Sequence, residues 1–437
     1  MKRKAYDRIK FWKDHKTKQA LLVTGARQVG KTFIIEEFGR NEYEHMVEFN
    51  LVLDDNARRS FSQATSPDDL LFRISVASNV PLVPGRTLVF LDEIQQCPQI
   101  VTFIKGLVDK GDYDYILSGS LLGVELEDVR SLPVGYLDEF AMYPLDFEEF
   151  CWANGLVESA FDVVRNSFAN LSEIPDFIHD RLTDLFHRYL LVGGMPAAVA
   201  AFAANGVIDP VRAVQSNIRA YYEHDIKQYA PKANRLTIQE IYRLIPGELQ
   251  SQNRRFQVSS ITDIKRFSQI EDEFLWLTNA NVALPAFNVA APIAPLRINA
   301  DRRVMKLFYS DVGLLVSAYG KKSALGILEG NAAMNMGGVY ENVAAQELVA
   351  HGFTHLYYLT KKGVGELDFL VETNDGDVLA LEIKSGAYFR SHAALDKAMA
   401  TPGYGIDRAY VFAETNVFTE GNVIYLPMYM LSMLVNE

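Results

Sequence analysis

The chain has few cysteines and no long unbroken apolar run, and both absences exclude classes of protein. Its two cysteines, Cys97 and Cys151, lie far apart and form no CxxC pair. A zinc site built on cysteine is therefore excluded, and a disulfide framework is disfavoured. The longest apolar run, 189–204, is interrupted by a Gly-Gly-x-Pro turn. It is too short and too broken to span a membrane, and a buried helix is the better interpretation.

An excess of positive charge is also absent. The sequence contains 43 basic and 55 acidic residues, for a formal net charge of −12. The whole molecule is therefore not a polycation that coats nucleic acid, although a local basic face remains open. No apolar stretch follows the charged N-terminal residues, so we predict no signal peptide, no membrane partner and a cytoplasmic location. The 437 residues suit about three domains.

Residues 25–32 read Gly-Ala-Arg-Gln-Val-Gly-Lys-Thr and fit the phosphate-binding pattern G-x-x-x-x-G-K-[ST] without a mismatch. A β-prone run precedes this loop and a helical run follows it, which is the context that such a loop requires. Glycines allow the backbone to wrap its N–H groups around a phosphate chain, the lysine adds a positive charge, and the threonine hydroxyl can bind Mg²⁺. The residues predicted to bind ATP here are Gly25, Ala26, Arg27, Gln28, Val29, Gly30, Lys31 and Thr32.

Apolar runs alternate with helical stretches up to about residue 145, which predicts a parallel α/β sheet with helices on both faces. The predicted strands are Ala20–Thr24, Met46–Asn50, Thr87–Leu91, Asp114–Leu117 and Phe140–Leu145. The pattern changes at residue 146, and residues 146–230 are predicted to be mostly helical.

Two of these strands end in polar side chains that suit ATP hydrolysis. The run 88–93 ends in Asp92 and Glu93, at the edge where parallel sheets bind ligands. We predict that Asp92 binds Mg²⁺ and that Glu93 orients the attacking water. The next strand ends in Ser118 and Ser120. Either serine could sense the γ-phosphate, or the pair could form only a strand-end turn.

The chain resembles the bacterial and archaeal AAA-type ATPases that carry a C-terminal domain of unknown function numbered 4143. The resemblance extends over nearly the whole sequence and depends on motifs that are specific in combination. They are Gly25–Thr32, Leu88–Glu93, Ser118–Ser120, Tyr143–Phe150, Gly193–Pro196, Asp311–Leu315 and Gly338–Glu341. Many relatives have Gly-Arg where this chain has Gly135-Tyr136. The identity of a trans-acting arginine is therefore open, with Arg130 and Arg188 as candidates.

A basic segment follows the helical region. Residues 231–270 contain seven basic and three acidic side chains, a local balance of +4. Two helices, at about 237–246 and 264–279, precede the β-like run Val282–Phe287. This order suggests a winged-helix-like module that binds nucleic acid, and a solvated basic face on a helical linker is the alternative.

A second chemical constellation lies near the C-terminus. The predicted strands Leu367–Glu372 and Val378–Ile383 are joined by an Asn/Asp/Gly turn and form a hairpin. Asp368 on one strand, with Glu382 and Lys384 on the next, would suit Mg²⁺-dependent phosphodiester cleavage. Glu341 on the preceding helix could complete the metal ligands. The arrangement resembles the PD-(D/E)xK restriction-endonuclease-like fold, which implies Asp368, Glu382 and Lys384 as catalytic residues and the three carboxylates as metal ligands.

These patterns predict an α/β protein in four parts. An AAA-type P-loop ATPase domain occupies 1–150, a helical lid 151–230, a winged-helix-like module 231–300 and a nuclease-like domain 301–437. Our first hypothesis is an ATP- and Mg²⁺-dependent switch that controls the binding or processing of DNA or RNA. Such a switch could act as a homo-oligomer. The second is an ATP-regulated binding protein whose nuclease-like domain is a non-catalytic interaction platform. A small-molecule kinase is disfavoured, because it would leave the last third of the chain unexplained.

Overall fold

A computed structural model of the chain describes residues 1–120, 135–252, 254–261, 264, 266–328 and 335–436. The chain divides into two compact units. Unit 1 comprises Met1–Tyr143 and Asn279–Asn281, and unit 2 comprises Pro144–Thr278 and Val282–Glu437. The predicted boundary between the ATPase domain and the helical region, at 150/151, therefore lies seven residues after the structural one at 143/144.

Unit 1 contains a five-stranded sheet in the order β2-β3-β4-β1-β5, and all its strand pairs are parallel. Its strands are β1 Ala20–Thr24, β2 His45–Asn50, β3 Thr87–Asp92, β4 Asp114–Ser118 and β5 Leu137–Ala141. Every residue of β1 and β3 is buried, which explains why both strands are almost continuously apolar. The fifth strand ends four residues earlier than the predicted strand 140–145. Pro144 follows it and cannot donate a hydrogen bond to a strand ladder.

Helices cover this sheet. They are α1 Lys4–His15, α2 Lys31–Glu42, α3 Asp55–Ser62, α4 Pro67–Ala77 and α5 Gln99–Lys110. Side chains cap two of them, because Asp54 accepts hydrogen bonds at the start of α3 and Ser66 does so at the start of α4. Helix α2 instead has Gly30, the last glycine of the phosphate-loop pattern, as its N-cap residue, without a side-chain cap. The end of that loop is therefore the N-terminus of a helix, as predicted.

Unit 2 contains helices both before and between the strands of its sheet. They are α6 Phe147–Ala153, α7 Glu158–Asn170, α8 Asp176–Val192, α9 Pro196–Asn205, α10 Ile208–Tyr229, α11 Arg235–Gln250, α12 Glu271–Asn279, α13 Val312–Ser317, α14 Lys321–Leu325, α15 Met336–Ala350 and α16 Ala393–Met399. A reciprocal capping box between Asp146 and Glu149 fixes the start of α6. Helices α6 to α10 account for the predicted helical region.

An eight-stranded mixed sheet forms the second layer of unit 2, in the order β12-β13-β11-β10-β9-β8-β6-β7. Its strands are β6 Ala283–Val289, β7 Ala300–Tyr309, β8 Leu356–Lys361, β9 Gly365–Glu372, β10 Val378–Ile383, β11 Ala409–Ala413, β12 Phe418–Glu420 and β13 Val423–Pro427. Strands β9 and β10 pair antiparallel. The hairpin predicted from the 374–377 turn is therefore confirmed.

The structure differs from the predicted boundary at 300/301. Strand β6 pairs with β7 on one side and with β8 on the other. Residues 283–289 are consequently an internal strand of the C-terminal sheet, so the segment 231–300 does not stand apart from it as a winged-helix-like module. The second predicted helix, 264–279, begins only at Glu271, where three consecutive acidic residues suit a helix N-terminus.

Cys97 and Cys151 are free and buried, and burial raises the pKa of the Cys97 thiol to about 11. Among the described residues, no helix combines the length and the hydropathy needed to cross a membrane.

Candidate nucleotide site and C-terminal carboxylate cluster

The loop between β1 and α2 has the backbone conformation that its glycines allow. Gly25 has a φ of 132° and Gly30 a φ of 96°, both in the region that side chains disfavour. A Cβ on Gly25 would also collide with the backbone carbonyl of Met142. Glycine is therefore required at position 25 by its conformation and by its close neighbour.

Lys31 lies inside this loop. Its ammonium donates hydrogen bonds to the carbonyls of Gly25 at 2.8 Å and Ala26 at 2.9 Å. Burial lowers the pKa of Lys31 to about 8, and the charges of Glu93 and Asp92 only partly oppose that effect. The Lys31 ammonium therefore contacts two neutral carbonyls. A bound phosphate chain would instead offer it a full negative charge.

Asp92, at the end of β3, accepts four hydrogen bonds. Its Oδ2 atom accepts from the Thr32 hydroxyl at 2.9 Å and from the Asn50 amide at 2.9 Å. Its Oδ1 atom accepts from the Ser118 hydroxyl and, at 3.1 Å, from the backbone N–H of Glu93. The structure therefore brings together the two predicted Mg²⁺ ligands, Thr32 and Asp92, and holds the carboxylate in one orientation.

Glu93 adopts a left-handed backbone conformation, with a φ of 55°, which is strained for a residue other than glycine. Its carboxylate accepts hydrogen bonds from the Gln95 amide and, at 3.4 Å, from the Ser120 hydroxyl. Ser120 in turn accepts a hydrogen bond from Nε of Arg27 at 3.2 Å. A short polar chain therefore connects the phosphate loop to Glu93, the carboxylate predicted to orient the attacking water.

Three residues in or beside this site, Asn50, Gln95 and Arg3, had no predicted role. Asn50 ends β2 just as Asp92 ends β3, so the same rule about polar strand ends could have found it. Gln95 had no such signal. Nor did Arg3, whose guanidinium donates to the carbonyls of Val29 and Tyr143, each at 2.9 Å. Arg3 thereby ties the phosphate loop to the end of the unit.

ATP and Mg²⁺ fit this donor set. The N–H groups of the loop and Lys31 would bind the phosphates, at the N-terminus of a twelve-residue helix. The Thr32 hydroxyl and the Asp92 carboxylate are neighbouring oxygen donors of the kind that Mg²⁺ prefers. Ser118 contacts Asp92 and so supports the metal ligand.

The predicted C-terminal residues Asp368, Glu382 and Lys384 also lie close together, around a cavity of about 520 Å³. Nζ of Lys384 is 2.8 Å from Oε1 of Glu382. Oδ2 of Asp368 accepts a hydrogen bond from the backbone N–H of Ile383 at 2.8 Å. Burial, reinforced by the charge of Asp368, raises the pKa of Glu382 to about 8, although Lys384 opposes the shift.

Glu341, the third predicted metal ligand, is already paired with cations. Its side chain is fully buried, Nζ of Lys306 is 2.9 Å from its Oε2 atom, and Arg254 forms a second ion pair with it. Within the described ranges, no three His, Cys, Asp or Glu side chains are grouped so that they could hold a metal ion. A Mg²⁺ site built from Glu341, Asp368 and Glu382 therefore does not fit this arrangement.

Three arginines of the basic segment 231–270 form ion pairs with carboxylates of unit 2. Its paired arginines are Arg243 with Glu223, Arg254 with Glu341, and Arg255 with Glu366. Two charged residues of the segment, Asp263 and Lys265, lie outside the described residues. The local excess of positive charge is therefore not a continuous free basic face, because three of its seven cations already have carboxylate partners.

Arg130 and Arg188 are the two candidates for a trans-acting arginine. Arg130 lies outside the described residues. Nε of Arg188 is 3.0 Å from Oδ2 of Asp184, four residues earlier in the same helix. A trans-acting role for Arg188 would require this pair to open.

Three protein-family models match parts of the chain. Residues 17–151 match the family model AAA_14, described as an AAA domain. This segment is an AAA-type P-loop ATPase domain. Residues 183–325 match a domain of unknown function, DUF8612, and residues 336–431 match another, DUF4143. The two domains named in the resemblance, the AAA domain and the domain numbered 4143, are both found.

The solved structures that match the chain share little sequence with it. The Walker-type ATPase PABY2304 of Pyrococcus abyssi is 12% identical, with 72% of this chain and 95% of that chain covered and a TM-score of 0.43. The Aeropyrum pernix ORC1 protein in complex with DNA is 11% identical, with 75% and 90% covered and a TM-score of 0.29. At such TM-scores neither likeness supports a functional argument. No curated protein matches the sequence.

Proposed function

We propose that this chain is a Mg²⁺-dependent ATPase that acts as a switch, in which ATP hydrolysis in unit 1 controls nucleic-acid binding by unit 2. The observation that carries the ATPase proposal is the contact between Thr32 and Asp92 beside the phosphate loop. The AAA domain supports hydrolysis as the reaction. A cytoplasmic location and assembly into a homo-oligomer belong to the same proposal.

Each residue of the nucleotide site has a distinct task in this proposal. The loop N–H groups and Lys31 bind and orient the phosphates, which supplies most of what phosphoryl transfer requires. Bound Mg²⁺ would neutralise charge on the transferred phosphate, and Thr32 and Asp92 would hold it there. Asn50 and Ser118 keep the Asp92 carboxylate in place. Glu93 orients and polarises the attacking water.

The ATPase proposal predicts that Lys31→Ala lowers nucleotide affinity by at least about 100-fold, because the principal cation facing the phosphates is lost. Fluorescent ATP binding and phosphate release should fall together. Lys18→Ala is a suitable control, because it also removes a lysine of unit 1. Lys18 is exposed, and its Nζ atom lies 3.8 Å from Oδ1 of Asp109. Phosphate release that persists in Lys31→Ala at the wild-type rate would show that hydrolysis occurs elsewhere or comes from a contaminant.

A second candidate for the output of the switch is the non-catalytic interaction platform. Its specific support is that Lys306 and Arg254 neutralise Glu341, the carboxylate that a metal-dependent nuclease would need. DNA and RNA should therefore be bound but not cut in the presence of Mg²⁺ or Mn²⁺, with or without ATP. Cleavage that disappears in Glu382→Ala would instead establish a nuclease.

A further inference from the structure

A fully buried lysine lies at the centre of the carboxylates in the C-terminal sheet. Lys306 is on β7, and neither its side chain nor that of Glu341 is exposed. Nζ of Lys306 is 2.9 Å from Oε2 of Glu341 and 2.8 Å from Oε1 of Glu366. The ring of Tyr358 lies 5.1 Å from the same nitrogen. Two carboxylates and an aromatic face thus surround the ammonium, as a buried lysine requires.

Two arginines complete the charge balance around this lysine. Arg254 pairs with Glu341, and Nη2 of Arg255 is 3.5 Å from Oε2 of Glu366. Three cations therefore face two carboxylates. A divalent cation added here would meet an ammonium that is fixed in a poorly solvated interior, where like charges repel strongly. It could bind only if Lys306 left its two partners.

In the neighbouring cavity, a lysine is also paired with a buried carboxylate. Lys384 pairs with Oε1 of Glu382, and no described residue forms a hydrogen bond with the buried Oε2 atom of Glu382. That oxygen belongs to a residue that lines the cavity. Glu382 therefore offers a ligand only one of its two oxygens, whereas a hard divalent cation needs about six oxygen ligands, several of them usually from protein.

We propose that Lys306 is a built-in cation that takes the place of a divalent metal in the C-terminal domain, so that the cavity beside Asp368, Glu382 and Lys384 accepts its ligand without a metal ion. The proposal depends on contacts within unit 2 alone. It would stand even if unit 1 did not hydrolyse ATP.

Binding of Mn²⁺ to the full chain without nucleotide tests this proposal. All variants carry Thr32→Ala, which removes a predicted metal ligand of unit 1, and free Mn²⁺ is measured by electron paramagnetic resonance. The chain with Lys306 intact should bind no Mn²⁺ in this domain. Lys306→Met should gain one Mn²⁺ per chain, and the added change Glu341→Gln should abolish that gain.

A matched control is Lys361→Met, because Lys361 lies on β8 of the same sheet and bonds to the Tyr404 hydroxyl at 2.9 Å and not to a carboxylate. It should gain no Mn²⁺. A folded Lys306→Met chain that binds none would overturn the proposal. If that variant does not fold, the chain with Lys306 intact decides. Mn²⁺ that it binds and that Glu382→Gln or Asp368→Asn removes would overturn the proposal, and no bound Mn²⁺ would support it.

Discussion

The Glu93→Gln chain is expected to hydrolyse ATP about 100- to 1,000-fold more slowly than the wild type while it still binds ATP. Glutamine has the shape of glutamate but not its charge, so it cannot polarise the attacking water. The phosphate loop, Lys31 and the Thr32–Asp92 contact are untouched by the change. Single-turnover phosphate release gives the rate, and fluorescent-nucleotide titration gives the affinity.

Glu44→Gln serves as the control for this change. Glu44 is exposed and pairs with Arg86 at 3.0 Å, outside the nucleotide site. It should leave both the rate and the affinity as they are. A Glu93→Gln chain with the wild-type rate would remove Glu93 from the mechanism. A loss of affinity as large as the loss of rate would make its role structural.

Asp311→Ala is expected to lower the free energy of unfolding by about 3 kcal/mol or more. The Asp311 carboxylate is fully buried in unit 2. It accepts hydrogen bonds from the backbone N–H groups of Gly194 at 2.6 Å and Leu314 at 2.8 Å. Truncation leaves both buried donors without this acceptor and removes the cap of α13. Urea unfolding of unit 2 measures the change, and a loss below about 1 kcal/mol would contradict the assigned role.

The pH dependence of the same residue provides a second readout. Burial raises the pKa of Asp311 to about 6, although the backbone N–H groups partly oppose the shift. Its pKa is thus higher in the folded chain than in the unfolded chain, and the corresponding stability is lost as the pH rises through about 6. Relative to Asp311→Asn, the wild type should lose stability between pH 4 and pH 7. A difference that is constant over this range would contradict the raised pKa.

Local sequence patterns anticipated that Thr32, Asp92 and Ser118 lie at the nucleotide site, but not that Asn50, Gln95 and Arg3 contact it. Thr32, Asp92 and Ser118 come from three parts of the chain that are far apart in sequence. They meet because parallel strands place their carboxyl ends at one edge of a sheet. Asn50 obeys the same geometry. The pattern of apolar strands with polar ends therefore predicts the residues at the strand ends, but not the contacts of Gln95 and Arg3.

The pairing of buried charges could not be read in this way. Lys306 and Arg254 are separated from Glu341 by long stretches of sequence, and nothing local shows that they will neutralise it. The role of β6 was hidden for the same reason, because its neighbours β7 and β8 both follow it in sequence. Such pairings depend on how distant elements pack, and short-range periodicity does not record that.

Control of nucleic-acid binding by the nucleotide state can be tested in a single binding experiment. Fluorescence anisotropy of labelled single- and double-stranded DNA and RNA would be recorded with the Glu93→Gln chain, first with ATP and Mg²⁺ and then with ADP and Mg²⁺. The account predicts that Kd for at least one nucleic acid differs at least about tenfold between the two states, equivalent to about 1.4 kcal/mol of coupling. Equal Kd values in both states, or no binding in either, would contradict it.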